Sequence, residues 1–425
     1  MLLRKIHFSL LVLLLLDSFL AMGQAARSPF SSFGIGEQYG TALTHNQGMG
    51  GVGISNPEYW YLNNQNPALL VFNRLTTFQA GVLGEQRTQS SSTTTEKTGS
   101  GNLNYLVLGI PVKPGWWVSS VALMPYSRLN YQLKYTQPVE GSATNTVNIT
   151  EKGSGGINQL NWSNGVTVIR SISVGLKATY LFSSIVNEYS NVLTQTNQTI
   201  LTSPKIYERT FVSDFQFSPA LSIHIDSLFK QNYRLNIGAV YDFGSSLNSK
   251  FYQRIERLNA AGLVDSVTLI PNAKGTITIP QALSVGISFG KGFKWMAAVD
   301  GYYADYSQYR SLNGSNPYQT NNWRLGAGFT LTPDQASLSS YLKRMTYRTG
   351  VSLENYPYLV NGNTVRDFGI TFGFSSPVSR YSSLDLALKV GKKGDKTSNT
   401  LEENYIKLYF GITFNDQWFI KRRFD

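Results

Sequence analysis

Tyr233-Arg234-Leu235-Asn236-Ile237-Gly238-Ala239-Val240-Tyr241-Asp242-Phe243-Gly244 is the stretch that decides the fold. Tyr233, Leu235, Ile237, Ala239, Tyr241 and Phe243 alternate with Arg234, Asn236, Gly238, Val240, Asp242 and Gly244. A period of two sends the two sets to opposite sides of a β-strand. One side is almost purely apolar, the other almost purely polar or small. A water-soluble strand does this once. Here the pattern recurs near 75–88, 101–113, 116–136, 144–169, 172–194, 206–226, 231–255, 265–290, 293–306, 322–332, 345–355, 363–375, 382–391 and 403–415. Fourteen two-faced strands, mostly of about ten residues or more, match the length and even number of a bacterial transmembrane barrel. The expected fold is all-β: a 14-stranded antiparallel transmembrane β-barrel.

The connections divide into two kinds. Lys113-Pro114-Gly115, Arg170-Ser171, Asp226 to Lys230, Gly290 to Gly292 and Ser376 to Tyr381 are tight, while Pro333 to Arg344 reads as a short helix. The alternate joints are longer and polar: Ser90–Ser100, Gln195–Lys205, Gln308–Asn321 and Lys392–Glu402. Short turns at one end and long loops at the other predict periplasmic turns and external loops. Both termini are then expected in the periplasm.

Pro125, Pro219, Pro280 and Pro357 each fall partway along a strand. Proline lacks the N–H that a ladder needs, so they should mark where strands leave the lipid. Two aromatic belts are expected. One holds Trp116, Trp117, Phe293, Trp295, Tyr347 and Trp418 at the turn end. The other holds Tyr126, Tyr302, Tyr303, Trp323, Tyr356 and Tyr405 at the outer end.

The N-terminus reads as export machinery. Arg4 and Lys5 precede an apolar run from Phe8 to Leu20, then small residues Ala21, Gly23, Ala25 and Ala26. Residues 1–25 are expected to be a signal peptide. The chain has no Cys, which removes disulfides, thiolate metal sites and thiol catalysis. Its 25 Tyr and 23 Phe accompany a slightly negative mean hydropathy, the mix of a barrel whose every second residue meets lipid. Basic residues exceed acidic ones by 12 and are dispersed. That excess suits contact with anionic outer-membrane lipid and lipopolysaccharide, a lumen that attracts anions, or a solvated surface with no partner. No basic recognition helix is present, so nucleic acid is not an expected partner.

Catalytic chemistry finds no support. Gly48-x-Gly50-x-x-Gly53 matches the dinucleotide fingerprint only formally, since it opens no helix and sits in no βαβ unit. His7, His45 and His224 are the three histidines, too few for a typical zinc site. His224 lies on a polar strand face and reads as a lumen residue rather than half of a Ser–His pair. No catalytic residue, metal or cofactor is expected, and the chain is not expected to be an enzyme.

A barrel of this width cannot fill itself with its own side chains. Residues 26–74 lack sustained alternation and could supply a plug, leaving 75–425 as the barrel. The plug candidate carries Gly48-Met49-Gly50-Gly51-Val52-Gly53 and Asn66-Pro67-Ala68. Glycines permit close approach to a wall, and Asn66-Pro67 suits a self-bonded turn. With these two motifs in this order before fourteen strands, the chain resembles the FadL-type family of outer-membrane transporters for long-chain fatty acids and other hydrophobic compounds. Ser28 to Gly36 and Asn415 to Arg422 look like its Bacteroidota branch.

The resemblance implies a Gram-negative outer-membrane channel for passive uptake, gated by an N-terminal hatch inside the lumen. Gly48, Gly50, Gly51, Gly53, Asn66, Pro67 and Ala68 would be hatch residues. It also implies a lateral exit beside a kinked third strand, with Pro125 as the candidate kink. Tyr59, Trp60, Tyr61 and Phe72 are candidate ligand contacts, with plain plug-to-wall packing as the alternative. A monomer is expected. The rival reading is a FadL-like barrel that serves as an interaction or scaffold component of protein secretion.

Overall fold

The computed structural model describes residues 25–139, 145–195, 198–199, 204–228, 232–258, 264–379 and 381–417. Residues 1–24 of the expected signal peptide, Trp418 and most of the Asn415–Arg422 ending lie outside the described residues. The barrel strands are β1 (Thr76–Ser90), β2 (Thr95–Lys113), β3 (Trp117–Pro138), β4 (Thr146–Ile169), β5 (Ile172–Gln195) and β6 (Lys205–Leu228). There follow β7 (Tyr233–Asp242 and Ser245–Leu258), β8 (Val264–Ile279 and Ala282–Lys291), β9 (Trp295–Ala304) and β10 (Asn322–Leu331). The last are β11 (Thr346–Val360), β12 (Asn363–Pro377), β13 (Ser382–Asp395) and β14 (Leu401–Asp416). Each pairs antiparallel with the next. β14 returns to β1, from Glu402 against Ser90 to Asp416 against Thr76. The result is a closed barrel of fourteen antiparallel strands.

The faces divide as the period of two requires. On β12, Phe372 is 56 % exposed while its neighbour Thr371 is 1 % exposed. On β7, Ile237 faces out, and Asn236, Gly238 and Val240 are buried. Leu283, Val285 and Ile287 repeat this on β8, and Ile406, Leu408 and Phe410 on β14. A water-soluble domain hides such residues; here they form the outer surface and polar groups fill the inside.

The wall is uneven. β3 has 22 residues and β4, β5 and β6 have 24 each, against 10 for β9 and β10. About 9–11 residues cross a hydrocarbon layer. One side of the barrel therefore rises well beyond it.

Two of the expected long loops at that end are largely strand instead, 308–321 remains a loop, and most of 195–205 lies outside the described residues. Ser90–Ser100 reduces to a turn at 91–94, closed by the Ser91 N–H donating to the Thr94 carbonyl at 2.8 Å. Lys392–Glu402 is mostly strand around one helical turn, Lys396–Asn399. Above the lipid both faces of a strand meet polar surroundings. Ser, Thr, Lys and Glu then pair between strands with no apolar alternation to mark them.

The four prolines each disturb a ladder. The β3–β4 register shifts between Pro125 and Ser127. β6–β7 pairing stops at Ala220, next to Pro219. Pro280 divides β8, and Pro357 lies in the register break between Asn355 and Leu359. The outer aromatic belt is mostly not a belt. Tyr303 faces outward, but Tyr356 and Tyr405 are buried inside, and Tyr126 and Tyr302 pack on an interior aromatic cluster. These rings face the interior, where they pack against other rings and lumen groups instead of meeting the lipid interface.

Candidate functional site

Residues 25–74 run through the barrel interior and bond to strands on every side. They begin in the loop half. Ala26 N–H donates to Glu85, the Arg27 carbonyl accepts from the Thr98 hydroxyl, and Ser28 N–H donates to the Asn130 carbonyl. This corrects the expected turn-end position of the N-terminus for the described residues: the segment starts high, descends, and reaches the turn end only at 57–61. Gln417, the last described residue at the other terminus, does lie at the turn end, just beyond β14.

A break in the wall meets the segment here. The β2–β3 ladder ends at Leu106 opposite Leu123, although β2 continues on β1 and β3 on β4. The β3 edge left open, starting beside Pro125, is taken by the segment. Tyr39 N–H donates to the Tyr126 carbonyl at 2.8 Å, and Glu37 and Gln38 pair with Arg128 and Ser127.

Below the loop end an aromatic seal closes the lumen. The connection 305–321 folds inward, with Asp305 capping Ser307. Tyr318 packs edge-on between Tyr306 and Tyr309 at centroid distances of 4.7 and 4.6 Å. Its hydroxyl accepts from the Ile35 N–H at 3.3 Å. Phe33 stacks on Tyr358 at 4.4 Å.

Two buried charge clusters clamp the segment. In the upper one, Arg87 reaches Glu37 at 2.8 Å and Glu85 and Glu403 at 3.2 Å. Lys393 lies 3.7 Å from Glu37, and Lys407 3.7 Å from Glu85. Three cations thus meet three carboxylates away from water. Burial alone would raise the Glu37 pKa, but Arg87, Lys393 and Lys407 hold the carboxyl well below the usual range. In the lower cluster Arg348 binds Glu58 at 3.0 Å, and its guanidinium lies over the Tyr61 ring. Arg348 and His45 likewise keep the Glu58 carboxyl low against the pull of burial. His45 stacks on Tyr61 at 4.5 Å, and burial pushes its pKa down to about 4.

Between the clamps the two sequence motifs come together. Gly50 N–H donates to the Thr371 hydroxyl at 2.8 Å, which itself donates to the Gly48 carbonyl. Gly53 and Ile54 N–H groups both donate to one Asp300 oxygen, at 2.6 and 2.8 Å. Asn66 donates to the Ile54 carbonyl at 2.7 Å and to the Leu221 carbonyl at 3.2 Å, and accepts from Ala68 N–H at 2.9 Å. Pro67 opens a short 3₁₀ helix, Pro67–Phe72, at the position where its missing N–H costs nothing. Gln65 donates to the Gly51 carbonyl, joining the two runs again. Gly50 has φ +72°, and an added Cβ would lie 2.5 Å from the Val351 carbonyl oxygen.

The wall contributes residues that sequence reasoning missed. A Cβ on Gly328 would lie 2.4 Å from the Met49 carbonyl oxygen, and one on Gly350 2.3 Å from the Met49 carbonyl carbon. Gly238 and Gly175 meet Ile54 and Ala68 in the same way. The available signal was glycine at inward positions on several strands at one height. Arg87, Lys393 and Lys407 were missed as well. In the sequence nothing marks them as lumen charges within the general basic excess.

The candidate ligand contacts are spoken for. Tyr61 and Phe72 are buried. Tyr59 packs on Phe72 and Phe293 and accepts from Arg234 at 2.6 Å. Trp60 is the one with substantial exposure, at the turn end. His224 packs edge-on against Phe72. The mid-lumen space between segment and wall is about 110 Å³ and polar, with Gln159, Lys177, Asp242, Arg324 and Glu354 around it. That is room for a few waters. A larger cavity of about 670 Å³ opens at the turn end beneath Pro57–Tyr61.

Solved structures share this architecture. CymD, titled a monoaromatic hydrocarbon channel, is 14% identical with a TM-score of 0.55, over 91% of this chain and 99% of CymD. The Pseudomonas putida toluene transporter TodX is 14% identical with a TM-score of 0.57, over 90% of this chain and 98% of TodX. A FadL homologue from Pseudomonas aeruginosa is 12% identical with a TM-score of 0.59, over 90% and 99%. At these identities the likeness is one of fold. No curated protein matches the chain. The BamG family model matches residues 2–425, essentially end to end, and the chain belongs to the BamG family.

Proposed function

We propose that this chain is an outer-membrane channel for passive uptake of hydrophobic compounds, closed by residues 26–74 acting as a hatch. The observation that carries the reading is the wall break beside Pro125. β2 and β3 part there, and the hatch bonds to the edge that β2 leaves. Moving the hatch would open a path sideways into the lipid, which suits a compound that prefers lipid to water. The fold shared with proteins titled hydrocarbon channels and toluene transporters supports this. Under this reading residues 1–25 are a removed signal peptide and the turn end faces the periplasm. The outer surface contacts outer-membrane lipid and lipopolysaccharide, and the protein works as a monomer without cofactor or catalysis. The ligand class includes long-chain fatty acids and similar molecules, admitted through the Tyr306–Tyr309–Tyr318 seal. Gly48, Gly50, Gly51, Gly53, Asn66, Pro67 and Ala68 serve as the hatch's bearing surface.

The test is uptake of a labelled long-chain fatty acid into liposomes by the full barrel and by a variant lacking residues 27–74. Ligand-selective uptake that becomes unselective on deletion supports the hatch. No ligand dependence in either form refutes transport.

A second reading, a closed scaffold barrel in protein secretion, is favoured by one observation. The lumen is clamped by buried charges, and its mid-lumen space is small and polar. It predicts stable co-purification with partner proteins and no apolar ligand in the lumen.

A further inference from the structure

The turn-end mouth has a character that neither the hatch nor the lipid belt explains. Its cavity is lined by Tyr59, Trp60, Phe293, Tyr341, Lys294 and Arg344, among others. The connection between β10 and β11 stands out among tight turns. It carries Leu338, which is 100 % exposed, and Leu342, more than half exposed, beside Lys343 and Arg344. Val378, on the neighbouring β12–β13 turn, is as exposed as Leu342. Tyr341 fixes the connection to that turn through the Pro377 carbonyl at 2.9 Å. The ion pairs of the mouth among the described residues are Arg234–Asp226 and Arg348–Glu58. Among the described residues no carboxylate lies within pairing distance of Lys294, Lys343 or Arg344, although Asp334 is on the same connection.

We propose that this mouth is a docking site for a partner protein that presents an acidic segment and inserts an apolar side chain over Trp60. Exposed Trp, Tyr and Arg around a concavity are the composition of an interface hot spot. Exposed leucines clustered with them mark a contact patch rather than ordinary surface. The unpaired cations give the patch a sign that acidic residues complement. A bilayer cannot fill the cavity, because it is lined from within by hatch residues and inward-facing strand ends. A small molecule in the cavity would leave Leu338, Leu342 and Val378 uncovered. A protein surface covers both. The proposal does not depend on whether the lumen conducts.

The test is photo-crosslinking in cells, with p-benzoylphenylalanine placed at Trp60 or at Leu342 of the full chain. The expected result is one discrete protein adduct shared by both positions, with an acidic crosslinked peptide by mass spectrometry. Lys294→Glu with Arg344→Glu should lower the adduct yield about fivefold or more, as charge reversal at an interface does. Leu338→Asp, on a fully exposed side chain, should lower it too and serves if the double reversal fails to fold. Heat-modifiable gel mobility reports folding of each variant. Adducts to lipid alone, no adduct at either position, or a yield unchanged in both folded variants would overturn the proposal.

Discussion

Replacing Glu37 by Gln tests whether the upper charge cluster holds residues 26–74, the hatch of the proposed function. Glu37 is the hatch's own carboxylate in that cluster, and the two cations it meets, Arg87 and Lys393, have side chains only 1 % exposed. Glutamine keeps the shape and removes the charge. Arg87 retains Glu85 and Glu403, whereas Lys393 loses the carboxylate it pairs with. Breaking a buried pair from one side costs ~3–5 kcal/mol because a charge is left uncompensated. At about 1.4 kcal/mol per factor of ten, the released population of the hatch rises by roughly 10²- to 10³-fold.

Hydrogen–deuterium exchange of residues 26–56, in a lipid nanodisc, reads that population through lost protection. The matched control is Glu96→Gln. Its pair with Arg27 is exposed, with side chains 59% and 41% accessible, and should contribute less than ~1 kcal/mol. The pH dependence follows from the same geometry. The Glu37 carboxyl in the folded state titrates well below its ordinary value of 4.5. Its contribution is therefore complete above that value and is lost only as pH falls through the depressed one. Neutral to mildly acidic buffer should leave the Glu37 charge in place. Protection of 26–56 within about threefold of the parent chain in Glu37→Gln would refute the clamp, since a loss of ~3 kcal/mol requires far more.

Other expected outcomes use the same exchange assay. Gly350→Ala puts a methyl group 2.3 Å from the Met49 carbonyl carbon, so the 48–53 run should shift and lose protection by ~1–3 kcal/mol while the strands stay formed. Asn66→Ala removes three hydrogen bonds, two of them buried, and should cost ~2–3 kcal/mol, read jointly at 53–56 and 66–72. His45 is buried neutral with its pKa pushed down to about 4, against 6.5 when free, so the released hatch binds a proton that the docked hatch refuses. Docking is then fully stable above about pH 6.5 and weakens by ~2 kcal/mol on going to pH 5, a slope that His45→Gln should abolish.

The fourteen strands were legible because lipid imposes a rule on single residues. An outward side chain such as Ile237 or Phe372 must be apolar, and its neighbours Asn236 and Thr371 face the lumen. Where the rule lapses, legibility lapses with it. The 91–94 turn and the strand on either side of it hold Ser, Thr, Glu and Lys that pair in water, and they read as a loop. Tyr126, Tyr302, Tyr356 and Tyr405 read as an interface belt because an aromatic near a strand end carries no mark in the sequence of the side it faces.

The hatch motifs were visible as glycines and an Asn-Pro turn. Their partners were not, because each lies more than a hundred residues away on a strand whose register only pairing fixes. Asp300 reaching Gly53 and Ile54 is one example, and Thr371 bracketing Gly48 and Gly50 is another.

That there is a barrel, how many strands it has, and which face of each meets lipid can all be read from residue order. Those follow from local alternation, which every strand carries alone. That the N-terminal segment starts in the loop half, completes the open edge of β3, and is clamped by Arg87 and Arg348 emerges only from the folded barrel. Those depend on side chains from distant strands converging in a lumen, and buried charges act through position rather than sequence neighbourhood.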